Sequence, residues 1–259
     1  MKLKLFDKLR KGSAASGQRG QMTARFLPCG DSAIAVELAS EIDEKANQQV
    51  IVLAEDLSKR PIEGIEEVIP TYRSLLVLYD PAVIRGQKLI EALQGRLDKL
   101  VVSDAQTRHF SIPVLYGHEA GLDLEAMAEM KGVTPEEIIS LHSLAEYRVY
   151  MIGFAPGFAY LGGLPEILHT PRLKEPRQHI QAGSIGIGGK QGNINSVACP
   201  SGWRFLGRTP LKLFDPTREE PFLLQAGDTV TFRPIEREEA LELDAAVARG
   251  ETGVEASIK

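Results

Sequence analysis

One uncharged tract in the middle of this 259-residue chain constrains its fold more than any other segment. No charged side chain occurs from Val149 to Pro165, yet the tract contains four glycines and two prolines. Because proline lacks a backbone N–H and glycine weakens helices and strands, we expect a shaped loop here, and neither a regular helix nor a central strand. The loop is either a tight buried connection or one wall of a pocket, in which glycine backbone approaches an anion beside Phe154 and Phe158.

The part of the chain before this tract has the pattern of a small α+β domain, which we place at residues 23–103. Strands are predicted at 25–28, 33–38, 65–70 and 74–79, and helices at 42–59 and 87–99. The resulting order is ββαββα. Helices gathered on one side of a mostly antiparallel sheet predict a ferredoxin-like domain.

Residues 104–235 have a different pattern, which is typical of a β-barrel. Short apolar runs between turns rich in glycine and proline lie at 110–116, 147–154, 184–188 and 229–234. One helical insertion is predicted at 122–143, where Thr134 caps a helix and Pro135 occupies its first turn. We expect residues 236–259, which are acidic, to form an exposed helical tail with a frayed end.

The formal net charge of −5 conceals an uneven distribution. Residues 1–22 hold six basic residues and one acidic residue, and we interpret them as a disordered leader; an amphipathic arm on a membrane surface is the alternative. Residues 167–212 hold seven basic residues and one acidic residue within an otherwise acidic body. This basic segment is either a set of scattered surface charges or an anion site for carboxylate or phosphate. We expect no nucleic-acid partner, because the whole chain is acidic.

Cysteine, histidine and hydropathy patterns exclude several classes of protein. The two cysteines lie far apart and outside any CxxC pattern, which indicates a reducing compartment and hence the cytoplasm. No apolar run approaches the roughly 18 residues of a membrane span, so we expect a soluble protein without a membrane partner. The five histidines are scattered without ligand spacing, and no metal site is predicted.

Common local motifs of catalysis are absent. The glycines before Lys190 are similar to a phosphate-binding loop, but Ser184 replaces its first glycine and Gln191 replaces the Ser or Thr that would hold magnesium. Neither an HExxH zinc motif nor a GxSxG nucleophile motif occurs. Hydrolysis through a known local motif is therefore not expected.

A longer series of motifs is far more specific. It comprises Leu141-His142-Ser143, Tyr150 through Gly163, Pro171-Arg172, Pro176-Arg177, Ala182 through Gln191, Pro200-Ser201-Gly202-Trp203, Leu206 through Pro210 and Ala226-Gly227-Asp228. This series resembles that of the KipI-like family. Members of that family include the B-type subunit of the bacterial 5-oxoprolinase, also called allophanate hydrolase subunit 1, and part of the carboxyltransferase domain of urea carboxylase. The resemblance covers residues 25–235.

The resemblance implies a small N-terminal α/β domain followed by a cyclophilin-like β-barrel. It also implies one subunit of an ATP-dependent 5-oxoprolinase, an amide hydrolase that opens 5-oxo-L-proline to L-glutamate. Such a chain acts only with partners, namely the KipA-like (C-type) and LamB-like (A-type) subunits of the 5-oxoprolinase. Because no ATP motif lies in this chain, we expect ATP, the co-substrate, to bind on a partner or at a subunit interface.

Ring opening by this route defines what the site must contain. If the lactam oxygen is activated as a phosphate ester, water can attack the ring carbon. This route requires cations that bind the carboxylate and phosphoryl groups, hydrogen-bond donors for an oxyanion, and a base. We assign Arg177 and His142 as catalytic candidates, although a histidine at a helix end is commonly a cap or a core residue. The predicted substrate-binding residues are Gly153, Phe154, Pro156, Gly157, Phe158, Arg172, Gly188, Gln191, Trp203 and Arg208.

One departure from the family pattern leaves the ligand open. Residues 192–196 read Gly-Asn-Ile-Asn-Ser where the family has Thr-Gly-Ile-Tyr-Pro, so a rigid apolar wall is lost and two amides are gained. Three other functions stay open: a histidine-kinase inhibitor without catalysis, a carboxyltransferase component that uses biotin and acts on urea or a similar amide, and a prolyl isomerase. The last is suggested by the barrel alone, and a fold does not establish a function.

Overall fold

A computed structural model describes residues 24–102, 107–251 and 253–258 of the chain. The predicted leader at residues 1–22 lies outside the described residues, and so do residues 103–106 at the predicted junction of the two domains. Among the residues that are described, no helix is both long and apolar enough to cross a membrane.

The N-terminal unit is a four-stranded antiparallel sheet with two helices packed on one face. Its elements are β1 (Arg25–Pro28), β2 (Ala33–Glu37), α1 (Glu44–Lys59), β3 (Ile65–Pro70), β4 (Ser74–Tyr79) and α2 (Gly86–Leu97). Asp43 caps α1 by accepting a hydrogen bond from the N–H of Ala46 at 2.8 Å. Both helices bury leucines, such as Leu53 and Leu89, against the alternating apolar residues of β2 and β4. The predicted order ββαββα is present.

The comparison of this unit with a ferredoxin-like domain is not supported. The sheet order is β1-β2-β4-β3, and each pairing between these strands is antiparallel. A ferredoxin-like domain is instead built on split βαβ units, in which a helix connects parallel strands. Apolar periodicity predicted the helices and strands here, but it carries no information about strand order.

The larger unit is a closed barrel of seven strands. Its strands are β5 (Arg108–Tyr116), β6 (Glu146–Ile152), β7 (Ala159–Gly162), β9 (Ser184–Gly188), β10 (Gln191–Ile194), β12 (Arg204–Arg208) and β13 (Thr229–Pro234). They follow the order β12-β9-β10-β7-β6-β13-β5, and the pairing of β12 with β5 closes the ring. A separate two-stranded sheet is formed by β8 (Arg177–Ile180) and β11 (Cys199–Ser201). The barrel predicted from the sequence is therefore present.

Alternating apolar side chains and two short helices fill the barrel. Ile112, Val149 and Ile187 point inward and are fully buried. The predicted helical insertion is two helices, α3 (Leu124–Lys131) and α4 (Pro135–Ser143), and it packs Met127 and Ile138 into the same core. Thr134 caps α4 as expected, and Glu137 completes a capping box with it.

The uncharged tract is only partly the loop that its composition predicts. Residues 153–158 form a loop, but the following residues are β7, which pairs with both β6 and β10 and is thus a central strand. Gly162 lies in β7 where a Cβ atom would overlap the ring of Tyr150. The prediction that no central strand could form was wrong, because this glycine makes room for a side chain of the neighbouring strand.

The C-terminal tail is more ordered than a frayed end. Helix α5 (Arg237–Ala248) buries only Ala240 among its residues, as expected for an exposed helix. Beyond it, β14 (Ser257–Ile258) pairs with the first residues of β5. The barrel thereby retains the end of the tail.

Candidate functional site

An aromatic cluster covers part of the outer face of the barrel. It consists of Tyr72, Tyr150, Phe158, Tyr160 and Trp203. The Tyr160 ring lies at the centre of the cluster, with centroid distances of 4.7 Å to Phe158, 5.8 Å to Tyr72 and 6.1 Å to Trp203. The turn between β3 and β4 supplies Tyr72, so the cluster joins the N-terminal unit to the barrel.

Glycines of β9 create the space for the indole ring. Since Ile185 and Ile187 face the barrel core, Gly186 and Gly188 face outward. A Cβ atom at Gly188 would lie 2.8 Å from the Trp203 ring, a distance that no packed side chain tolerates. The predicted residue Gly188 therefore acts by letting the indole lie against bare strand backbone.

Arg172 provides the positive charge of the cluster. Its guanidinium carbon lies 4.7 Å from the centre of the Trp203 ring, which is a cation–π contact. Burial raises the pKa of Tyr160, and the charge of Arg172 partly opposes that increase. Within the described ranges, no carboxylate forms an ion pair with Arg172. The charge is thus available to an anionic ligand.

The Tyr72 hydroxyl belongs to the same aromatic cluster and has no hydrogen-bond partner among the described atoms. Burial raises the pKa of Tyr72 far above its usual range, Tyr160 and Tyr150 raise it further, and Arg172 opposes the increase. The hydroxyl oxygen is buried, and none of the described atoms hydrogen-bonds to it. A buried hydroxyl without a partner is costly. Together, the phenol and the guanidinium suit a carboxylate, which accepts hydrogen bonds from both.

The loop at residues 153–158 forms a rim beside the cluster. Phe154 has φ = 70° and is 71% exposed, and its ring packs edge-on against Phe158 at 5.4 Å. Gly153 and Phe158 each donate their backbone N–H within the loop, to the carbonyls of Phe158 and Ala155. These two N–H groups are therefore not offered to an anion. Gly157, at φ = 76°, allows the loop to pass close to Phe214, and Pro156 is exposed.

A polar strip lies next to the cluster, at the position where the sequence departs from the family pattern. Asn193 is the cross-strand partner of Tyr160 and donates to Asn195 Oδ1 at 2.6 Å. Asn193 Oδ1 and Ser196 Oγ are buried without a hydrogen-bond partner among the described atoms. The two gained amides thus lie on the flank of the cluster. Gln191 begins the same strand, β10, and is half-buried.

Two of the predicted anion-binding arginines are bound to carboxylates of the chain. Arg177 donates to both oxygens of Asp123 at 2.8 and 2.9 Å, and the buried Asp123 also accepts the N–H of Phe205. Arg208 donates to both oxygens of Asp244 at 2.7 and 2.9 Å, which ties α5 to β12. These guanidinium groups stabilise the fold in this structure. Neither an anion site nor a set of scattered surface charges describes these two partly buried, ion-paired arginines.

His142 is a core residue. Its side chain is fully buried, stacks on Phe232 at 4.5 Å, and has its Nδ1 atom 2.7 Å from the hydroxyl of Tyr116. Burial lowers the pKa of His142 to about 3, so the ring is neutral at physiological pH. Its ring packs on Tyr116, Tyr147 and Phe232, which lie outside the aromatic cluster. The assignment of His142 as a catalytic acid or base is not supported. The alternative, in which this histidine is a core residue, describes the structure.

The structure adds site residues that sequence reasoning missed. Tyr72 was overlooked because a single aromatic side chain in a predicted hairpin turn gives no sign of what it faces. Tyr150 was noted only as the start of a motif, yet its ring stacks on Tyr72 at 5.4 Å. Asp123 also went unnoticed, and a buried acidic residue at the start of a helix resembles an ordinary cap.

The glycine-rich tract before Gln191 differs in structure from the phosphate-binding loop that it resembles in sequence. The tract before Gln191 is a tight connection between β9 and β10 with no helix after it, so it lacks the geometry of a phosphate-binding loop. Lys190 is exposed in that connection. No group of three or more His, Cys, Asp or Glu side chains in the described part of the chain is arranged to hold a metal ion.

A cavity of about 210 Å³ lies away from the cluster, between α1 and the barrel. Arg108, Arg148 and Asp228 line it, and Arg108 already donates to both oxygens of Asp228 at 2.9 and 2.6 Å. None of the predicted substrate-binding residues reaches this cavity. We therefore place the candidate site at the aromatic cluster, where Phe158, Arg172 and Trp203 converge.

This fold and this motif series define a family. The chain belongs to the family of the carboxyltransferase domain, subdomains C and D, whose family model matches residues 24–224. It is 43% identical over 207 residues to a protein from Haemophilus influenzae that is named as the B-type subunit of 5-oxoprolinase, and the match covers 80% of this chain and 96% of that protein. A protein of the same name from Bacillus subtilis is 39% identical over 224 residues, covering 82% and 93% of the two chains. The resemblance noted from the sequence is confirmed.

Solved structures share the fold. The crystal structure of TTHA0988 aligns with a TM-score of 0.71 and 34% identity over 79% of this chain, which spans 40% of that longer protein. The urea carboxylase of Kluyveromyces lactis aligns with a TM-score of 0.76 over 95% of this chain and 25% of that one. Its identity of 18% shows the fold alone.

Proposed function

We propose that this chain is one subunit of an ATP-dependent 5-oxoprolinase. In this role it acts in the cytoplasm with a KipA-like and a LamB-like subunit and opens 5-oxo-L-proline to L-glutamate. Relatives named as the B-type subunit of 5-oxoprolinase, 39–43% identical over most of both chains, support the subunit role. Two free cysteines are consistent with a reducing compartment.

The observation that carries the proposal is the free guanidinium of Arg172 above Trp203. A small carboxylate can accept hydrogen bonds from Arg172 and from the Tyr72 hydroxyl while its apolar ring carbons lie against Tyr160 and Trp203. 5-Oxoproline has this composition, since it combines one carboxylate with a flat five-membered lactam.

The reaction that we propose for the complex begins with phosphoryl transfer. The γ-phosphoryl group of ATP moves to the lactam oxygen and ADP leaves. Water then adds to the ring carbon, the carbon–nitrogen bond breaks as nitrogen takes a proton, and a second water releases phosphate and glutamate. This chain contributes the carboxylate grip that orients the ring, and the phosphoryl transfer is left to a partner or to an interface.

The test is reconstitution of the full chain with its two presumed partner subunits, followed by measurement of ATP-dependent glutamate release from 5-oxoproline. We expect Arg172→Ala to raise KM about tenfold or more without changing the unfolding temperature, because a charged hydrogen-bonding partner of the substrate is lost. Lys174→Ala is the matched control, since Lys174 is an exposed cation two residues away. An unchanged KM in Arg172→Ala would refute the assignment of the carboxylate site.

Other results of the same reconstitution favour other functions. Carboxyl transfer from biotin to urea or a similar amide, without glutamate release, would replace the proposal with a carboxyltransferase role, which the family's descriptive name favours. Inhibition of histidine-kinase autophosphorylation by a chain that releases no glutamate with its partners would replace it with a regulatory role.

A further inference from the structure

A buried amide joins the helix of the N-terminal unit to the aromatic cluster. Asn47 lies on α1 and is 0% exposed. Its Nδ2 atom donates to the carbonyl of Tyr150 at 2.9 Å and to the carbonyl of Thr71 at 3.2 Å. Tyr150 belongs to the cluster, and Thr71 precedes Tyr72 in the turn. A single side chain therefore connects α1, the turn that carries Tyr72, and the end of β6.

This asparagine occupies a position where apolar packing would be expected. Val50, Leu53 and Leu57 extend the same buried face of α1. Asn47 Oδ1 is buried and has no hydrogen-bond partner among the described atoms. An unsatisfied buried acceptor lowers stability, so the amide is a poor choice for packing alone. What it supplies is two directed bonds, one to Thr71 within the N-terminal unit and one to Tyr150 across the boundary of the two units.

The turn that carries Tyr72 is held both by local bonds and by Asn47. The turn is shaped locally by the N–H and the hydroxyl of Thr71, which both donate to the Ser74 carbonyl at 2.9 Å. These local bonds shape the turn, but they do not direct it towards the barrel. The bonds from Asn47 fix both the turn and the Tyr150 backbone to one point on α1. Asn47 thus holds the turn that carries Tyr72 together with the Tyr150 backbone, beside the ring contacts of Tyr72 with Tyr150 and Tyr160.

We infer that Asn47 is a positioning residue that holds the Tyr72 hydroxyl where it and Arg172 grip one substrate carboxylate. The inference rests on the proposed function of this site. Asn47 touches no substrate itself and acts through Tyr72. The N-terminal unit thereby becomes part of the binding site, through one amide and one phenol.

A double-mutant cycle in the reconstituted complex tests this coupling. Asn47→Asp keeps the size of the side chain, but its carboxylate cannot donate to the two carbonyls, and we expect KM for 5-oxoproline to rise about tenfold with kcat nearly unchanged. Tyr72→Phe removes the hydroxyl and has a similar effect. In the Tyr72→Phe background, we expect Asn47→Asp to raise KM by less than about twofold, because the hydroxyl that Asn47 positions is already absent. Equal effects of Asn47→Asp in both backgrounds would overturn the inference.

A measurement without substrate separates this inference from the proposed function. In the full chain with isotope-labelled tyrosine, the Tyr72 ring signals, assigned with Tyr72→Phe, report the stacking on Tyr150. We expect Asn47→Asp to move these signals towards those of an unstacked ring. Val50→Ala, which destabilises the same helix without touching the amide, leaves them in place. If Asn47→Asp does not fold, Asn47→Ser, whose hydroxyl is too short to donate to both carbonyls, takes its place.

The two experiments fail in different ways. A wild-type complex that releases no glutamate refutes the proposed function, while the tyrosine signals still decide whether Asn47 positions Tyr72. Unchanged Tyr72 signals in Asn47→Asp refute the positioning role, whatever the complex does with 5-oxoproline.

Discussion

Replacing His142 with glutamine is expected to remove a large part of the acid sensitivity of the barrel. His142 is completely buried among aromatic rings, and burial lowers its pKa from 6.5 to about 3. In the unfolded chain the imidazole binds a proton below pH 6.5, whereas in the folded chain it stays neutral. Because the unfolded state then holds more protons, the free energy of unfolding falls as pH decreases from 6.5 towards 3.

The size of this effect follows from the two pKa values. Each pH unit between them lowers the free energy of unfolding by up to about 1.4 kcal/mol. Between pH 8 and pH 5 the loss amounts to about 2 kcal/mol, an appreciable share of the stability of an ordinary domain. Glutamine does not titrate in this range, and its amide can still hydrogen-bond the Tyr116 hydroxyl.

The assay is urea unfolding of the full chain at pH 8, 7, 6 and 5, followed by the fluorescence of Trp203. This is the single tryptophan of the chain and lies on the barrel, so its emission reports barrel unfolding. We expect the stability of wild type minus that of His142→Gln to fall by about 2 kcal/mol from pH 8 to pH 5. His179→Gln is the control, because it removes an imidazole that lies exposed on the surface. If the free energies of unfolding of wild type and His142→Gln differ by the same amount at every pH, the reasoning is refuted.

Two further substitutions test the supports of the site. Arg177→Ala is expected to lower the free energy of unfolding by about 3 kcal/mol, because it leaves the buried carboxylate of Asp123 without the arginine that binds both of its oxygens. The folded complex is expected to keep its KM for 5-oxoproline. An unchanged unfolding temperature would contradict the first expectation. Gly188→Ala is expected to displace the Trp203 ring and shift its emission to longer wavelength, since the added methyl carbon would lie 2.8 Å from the ring. Gly95→Ala, with open space around the site of its Cβ, is the matched control, and identical emission in both variants would show that the indole does not depend on Gly188.

Local structure was largely predictable from the sequence because periodicity acts within one element. The six elements of the N-terminal unit and the helix cap at Thr134 follow from apolar spacing and cap chemistry, and the structure contains them. Strand order does not follow from spacing, and the ferredoxin-like comparison was not confirmed for that reason. The strand β7 was missed because Gly162 was counted as a strand breaker, whereas in the structure it accommodates the Tyr150 ring of the adjacent strand.

The site was less predictable because it is assembled from side chains distant in sequence. Phe158, Arg172 and Trp203 were predicted from motifs, and they do converge. Tyr72 and Asn47 were not predicted, since the sequence of a hairpin turn or of a helix face does not reveal which surface of another unit its side chains contact. Sequence alone predicted the residues on the barrel side of the candidate site and missed those on its N-terminal side.

The charge of the basic segment shows why sequence clustering and ligand binding are different properties. Two of its arginines are neutralised by carboxylates that lie outside the segment, Asp123 for Arg177 and Asp244 for Arg208. Arg172 instead lies over an aromatic ring, and no described carboxylate reaches it. Because a guanidinium that already binds two carboxylate oxygens has little affinity left for a substrate, the count of basic residues could not locate the anion site. The ion pairs of Arg177 and Arg208 are the reason why the proposed carboxylate site is placed at Arg172.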